Sequence, residues 1–75
     1  MQLDTWVPVV EGRYLGHWCR VEADPEGDGF CVMVRRQPNE TAELRFSDWL
    51  PSFEALHTAL RDYDWDVDWQ AAIKP

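Results

Sequence analysis

The chain has 75 residues and a mass of 8.8 kDa, which is one small domain. A chain this short buries only about 60% of the surface its unfolded form exposes, which excludes a two-lobed enzyme, a second domain or a solenoid. Fourteen acidic residues against seven basic ones give a net charge of −7. This argues against direct binding to nucleic acid or to an anionic membrane, and a 45% apolar content with five Trp argues against a disordered acidic tail.

No apolar run reaches the roughly 18 residues of a membrane helix. The opening MQLDTWVPVV lacks the charged region and cleavage site of a signal peptide, so a cytoplasmic protein is expected. Turn signals at Glu11-Gly12, Asp24–Gly29, Pro38-Asn39 and Pro51-Ser52 divide the chain into short pieces of a single domain spanning residues 1–75.

The first piece, Thr5–Val10, is β-branched and aromatic. Pro8 has no N–H, which confines it to an edge strand or a bulge. The second, Arg13–Ala23, alternates: Leu15, His17, Cys19, Val21 and Ala23 share one face, and Tyr14, Trp18, Arg20 and Glu22 the other. The third, Phe30–Arg36, sets Phe30, Val32 and Val34 against Cys31, Met33 and Arg35. The fourth, Ala42–Asp48, sets Ala42, Leu44 and Phe46 against Glu43 and Arg45.

Hairpin closure tests these faces. Closing Asp24–Gly29 brings Ala23 to Phe30, Val21 to Val32 and Cys19 to Val34, all apolar pairs. Closing Gln37–Thr41 brings Val34 to Leu44 and Val32 to Phe46, again apolar. A one-residue slip would turn each set to the wrong side. Cys19 and Cys31 then fall on opposite faces with diverging Cβ vectors, so two free thiols are expected.

Ser52 reads as a helix N-cap, with Glu54 in the first turn. Phe53, Leu56, Leu60 and Tyr63 follow at helical spacing, with Ala55 and Ala59 beside them, predicting one amphipathic helix on the apolar face of the sheet. The last piece, 62–69, has the sharpest pattern. Asp62, Asp64, Asp66 and Asp68 alternate with Tyr63, Trp65, Val67 and Trp69, and strict period 2 predicts a strand. The rival reading extends the helix, bringing Trp65 and Trp69 together but scattering the four Asp. The expected fold is therefore α+β: a small antiparallel sheet of three to five strands with a single helix on one face, in the order β-β-β-β-α-β.

On a strand, alternate residues lie ~6.8 Å apart. Two carboxylates at that distance repel by only about 0.6 kcal/mol in water, so an exposed Asp ladder is tolerated. It would protect a sheet edge, or it would dock a basic protein surface through Arg–carboxylate pairs. Duplex DNA carries one charge per ~1.7 Å of axis, about four times denser, so the ladder alone is a poor DNA mimic. The expected partner-binding residues are Asp62, Asp64, Asp66 and Asp68, with Trp65 and Tyr63 as anchors if exposed. The other expected surface is the sheet face without a helix, where Trp18, Met33, Arg20, Arg35 and Arg45 gather in a composition enriched at protein interfaces and suited to a homodimer.

Catalysis and cofactors find little support. Asp24-Pro25-Glu26-Gly27-Asp28-Gly29 resembles the first half of a calcium loop, but Arg35 stands where the bidentate Glu should be. His17 with Cys19 is an i, i+2 pair that would need a cleft and a third group to act. No Cys/His cluster suggests a metal. The expected protein is thus not an enzyme. It is a small acidic inhibitor or immunity-type protein, of the sort that blocks a nuclease or a CRISPR complex, or else a homodimeric structural or accessory subunit.

Overall fold

The computed structural model describes residues 1–73, so the last two residues of the expected domain lie outside the described residues. Its elements are β1 (Val7–Gly12), β2 (Trp18–Ala23), β3 (Phe30–Arg35), β4 (Leu44–Leu50), α1 (Phe53–Asp62), β5 (Trp65–Val67) and a 3-10 turn (Trp69–Ala71). This is the expected small α+β fold, with five antiparallel strands in the order β4-β3-β2-β1-β5. The last strand returns to pair with the first. Five flat strands would hold their edges about 19 Å apart. Yet Phe46 on β4 and Trp65 on β5 have ring centroids 5.8 Å apart, so the sheet is strongly coiled.

The concave face carries the core. Val7, Val9, Cys19, Val21, Val32, Val34 and Leu50 line it, and Leu56 of α1 packs into it fully buried. Burying a Leu contributes about 2 kcal/mol, and here it is the helix's principal anchor. Ser52 caps the helix as expected, accepting the Ala55 N–H at 3.1 Å. The helix stops at Tyr63, whose φ of −63° and ψ of 152° are extended while its N–H still reaches the Ala59 carbonyl at 3.0 Å.

The β2–β3 hairpin has the expected register, with Ala23 opposite Phe30, Val21 opposite Val32 and Cys19 opposite Val34. In its loop the Asp24 carboxylate accepts the Glu26 N–H at 2.9 Å. Three expectations fail. First, residues 13–16 form a turn rather than the start of β2. Gly16 has a φ of 88°, which breaks the alternation. Tyr14 therefore swings against the core, and Leu15 is left 63% exposed.

Second, β4 lies two residues from its expected register: Val34 faces Phe46 and Val32 faces Asp48. A two-residue slip keeps every side chain on its own face, so the apolar pattern does not oppose it. Arg35 then faces Leu44, which makes Arg45 the extra residue of a bulge. Third, only Trp65–Val67 of 62–69 is a strand, because the helix continues through Asp62.

Pro8 sits in β1, which has neighbours on both sides. Its carbonyl accepts the Asp68 N–H at 3.1 Å, just past the end of β5, so its missing N–H falls where the short strand has already stopped.

Candidate protein-interaction site

The four aspartates of 62–68 occupy four local settings rather than one strand face. Asp62 is the last helical residue, with Arg61 at 3.9 Å. Asp64 lies in the turn, where its carboxylate accepts from Arg13 Nε at 2.8 Å and its carbonyl from the Arg13 N–H at 3.2 Å. Asp66 is on β5, directly opposite Glu11 of β1. Asp68 caps the 3-10 turn by accepting the Gln70 N–H at 3.0 Å. All four are exposed.

Glu11 was missing from the expected site. Only the return of β5 onto β1 brings it beside Asp66, and nothing local in the sequence signals that pairing. Glu11, Asp64 and Asp66 rim a shallow groove of about 290 Å³ floored by Gly12, Tyr63 and Trp65. Glycine is required at position 12: φ is 88°, and a Cβ would meet the Asp64 carbonyl oxygen and approach Trp65 Cα to 2.6 Å. The close approach of β1 and β5 therefore depends on the missing side chain.

The expected aromatic anchors are not free. Trp65 is only 5% exposed and belongs to the core, stacked on Tyr63 at 4.9 Å and 10°. Tyr14 and Phe46 meet it edge-on, at 6.1 Å and 5.8 Å. The half-buried Tyr63 donates its hydroxyl to Asp48 at 2.7 Å. Burial, helped by the neighbouring Asp48 carboxylate, raises its phenol above the ordinary tyrosine range. These rings hold β5 to the core, and the acids around them form the accessible part.

The convex face differs from expectation in its charges. Arg20 is bonded to Glu22 at 2.6 Å and lies 5.6 Å over the Trp6 ring. Arg35 donates to the Ala42 carbonyl at 2.8 Å. The bulge gives the place opposite Arg35 to Leu44, and Arg45 pairs with Glu43 at 3.5 Å. Arg45 is therefore displaced from the expected cluster. Trp18 lies opposite Arg35, and Met33 opposite Arg20 and Ser47, both half-buried. Trp6 joins this face unexpectedly. It is 8% exposed and pairs with Ile73, walling a groove of about 320 Å³ with Arg20, Glu22, Met33, Arg35 and Glu40. The face is mixed and locally neutralised rather than basic.

Cys19 and Cys31 are both free, the first in the core and the second half-buried on the convex face. Burial pushes the Cys19 thiol up to about 12, which holds it protonated and weak as a nucleophile. Burial also raises the Cys31 thiol, with help from the Glu22 and Asp48 charges. His17 is half-buried, and its ring meets Tyr14 edge-on at 5.8 Å. Among the described residues, no three His, Cys, Asp or Glu side chains converge on a common point, and no helix is long and apolar enough to cross a membrane. Comparison with protein families, with curated proteins and with solved structures finds no match to this chain.

Proposed function

We propose that this protein is a small acidic interaction module: a cytoplasmic inhibitor or immunity-type protein that occupies a basic, nucleic-acid-binding surface of a partner protein and has no catalytic chemistry of its own. One observation carries this reading. Exposed Glu11, Asp62, Asp64, Asp66 and Asp68 gather around β5 and, among the described residues, only Arg13 and Arg61 are bonded to them. A net charge of −7 would steer a cationic surface towards that edge and repel nucleic acid and anionic lipid. Two unbridged cysteines suit a reducing compartment.

The test is capture of the partner from the native host at low and high salt. The contact should weaken about tenfold or more between ~0.05 and ~0.2 M salt. Replacing Asp62, Asp64, Asp66 and Asp68 together by Asn should abolish it, and unchanged binding by that variant would end the proposal. A captured partner that handles nucleic acid should also lose its DNA or RNA when the protein is added.

A second reading is a homodimeric structural or accessory subunit without an inhibitory role. It is favoured by the apolar exposure beside β4, where Trp49 is 57% and Leu44 46% exposed. Salt would matter little to such a contact, and light scattering would report a dimer.

A further inference from the structure

We infer that a second copy of this chain docks on the β4 edge, by antiparallel pairing of β4 with its own counterpart. The inference deepens the homodimer reading and is independent of any partner for the acidic edge. It starts from the phase of the ladders. Asp24 N–H bonds the Gly29 carbonyl, and Val9 N–H bonds the His17 carbonyl. Antiparallel pairs alternate, so Trp18, Arg20 and Glu22 turn their backbone groups to β3. Counting on across β3, Phe46, Asp48 and Leu50 turn theirs to β3 as well. Ser47 and Trp49 are left with N–H and C=O directed out of the sheet, and both residues are exposed. An open row of this kind is a template for another strand.

Charge and composition select a second copy. The β5 edge carries Glu11, Asp62, Asp64, Asp66 and Asp68, so two such edges repel each other. The β4 edge sets Arg36 and Arg45 against Glu43 and Asp48 and is neutral in sum. Leu44, Trp49 and Phe53 are its exposed apolar flanks. The register follows from Asp48. A two-fold axis at Asp48 would set two carboxylates face to face at about 4.5 Å, which like charges oppose. An axis at Ser47 instead sets Ser47 against Ser47 of the second copy. It brings Trp49 to Arg45 of that copy, an aromatic–guanidinium contact of the kind Trp6 and Arg20 already make at 5.6 Å. Such a pairing is isologous and closes on itself. On the convex face, by contrast, Arg20 and Arg35 already have partners and offer a second copy little.

Sedimentation velocity from about 1 μM to about 1 mM should show a monomer–dimer equilibrium. Ser47→Pro should weaken it at least about tenfold while leaving circular dichroism and thermal unfolding unchanged, because the N–H it removes has no partner among the described residues. Trp18→Ala should leave the dimer intact. In a Cys31→Ser background, oxidised Ser47→Cys should give a covalent dimer on a non-reducing gel, and Asp66→Cys should not. A wild-type monomer across the whole range overturns both the inference and the homodimer reading. A dimer that Trp18→Ala dissolves and folded Ser47→Pro keeps overturns the edge pairing alone. Should Ser47→Pro unfold, the cross-link decides, and its absence in a dimeric protein counts against the edge.

Discussion

The two edges of the sheet are held by different physics. β4 is seven residues long and is tied to β3 by a ladder that needs only backbone groups and correct phase. β5 is three residues long, carries exposed Asp66 at its centre, and has a disturbed register with β1. A strand so short contributes few ladder bonds. Its place is secured by Trp65 in the core, by Gly12 allowing the close approach, and by Tyr63 bonded to Asp48. An edge held by side chains can carry repelling charges that a ladder-held edge does not need. The acidic character of one edge is tolerated because aromatic burial, not strand pairing, fixes it.

Breaking the aromatic hold should have the largest effect. Trp65→Ala removes a buried ring that touches Tyr14, Phe46 and Tyr63. It should cost about 3–5 kcal/mol in urea unfolding, and hydrogen exchange should show β5 and β1 losing protection before β3 and β4. Gly12→Ala comes next, at about 2–4 kcal/mol, since it combines a left-handed backbone with a clash against Asp64 and Trp65. If exchange in β4 rises as fast as in β5 in these variants, the two edges are not separable units.

Tyr63→Phe should cost about 1–2 kcal/mol by leaving Asp48 without its donor. Tyr63 and Cys19 also set a pH dependence. Both groups are held neutral, with folded pKa values raised above their unfolded ones. Their contribution is complete below the unfolded values, which are 9.0 for the thiol and 10.0 for the phenol, and falls as pH rises beyond them. Unfolding midpoints measured from pH ~8 to ~12 should therefore decline, and less steeply in Cys19→Ala. Arg13→Ala is the smallest stability change, about 0.5 kcal/mol or less for so exposed a pair. It removes a positive charge from the acidic edge, so it should quicken association with a basic partner in stopped-flow measurements. Unchanged or slower association would place the contact away from Asp64.

Much of the fold was legible because it follows from local patterns. Alternation along β2 and β3 with a turn-rich loop between them determines their register. Ser52 and the spacing of Leu56 determine where the helix starts and which side it buries. The interaction site was only half legible. The Asp residues of 62–68 were visible as a charge pattern, but the pattern did not distinguish a strand from three successive short structures. Glu11 joins them only through a pairing across more than fifty residues of chain, for which the sequence has no signal. Arg45 lost its place opposite Met33 to Ser47 through the two-residue register change, and a bulge, which shifts the phase of a strand without changing its composition, leaves it with no partner on β3.

By itself, the sequence determined an acidic chain of −7 with one sheet, one covering helix and a core of Val, Leu and aromatic side chains. Those follow from period, cap and turn chemistry, which act over a few residues. The tertiary structure alone decided how far the sheet coils, that Trp65 is buried and its neighbouring aspartates are not, and which edge keeps its backbone groups free. These depend on where distant segments meet. The free energy that settles such meetings comes from packing Tyr14, Phe46, Tyr63 and Trp65 together, side chains drawn from three separate parts of the chain.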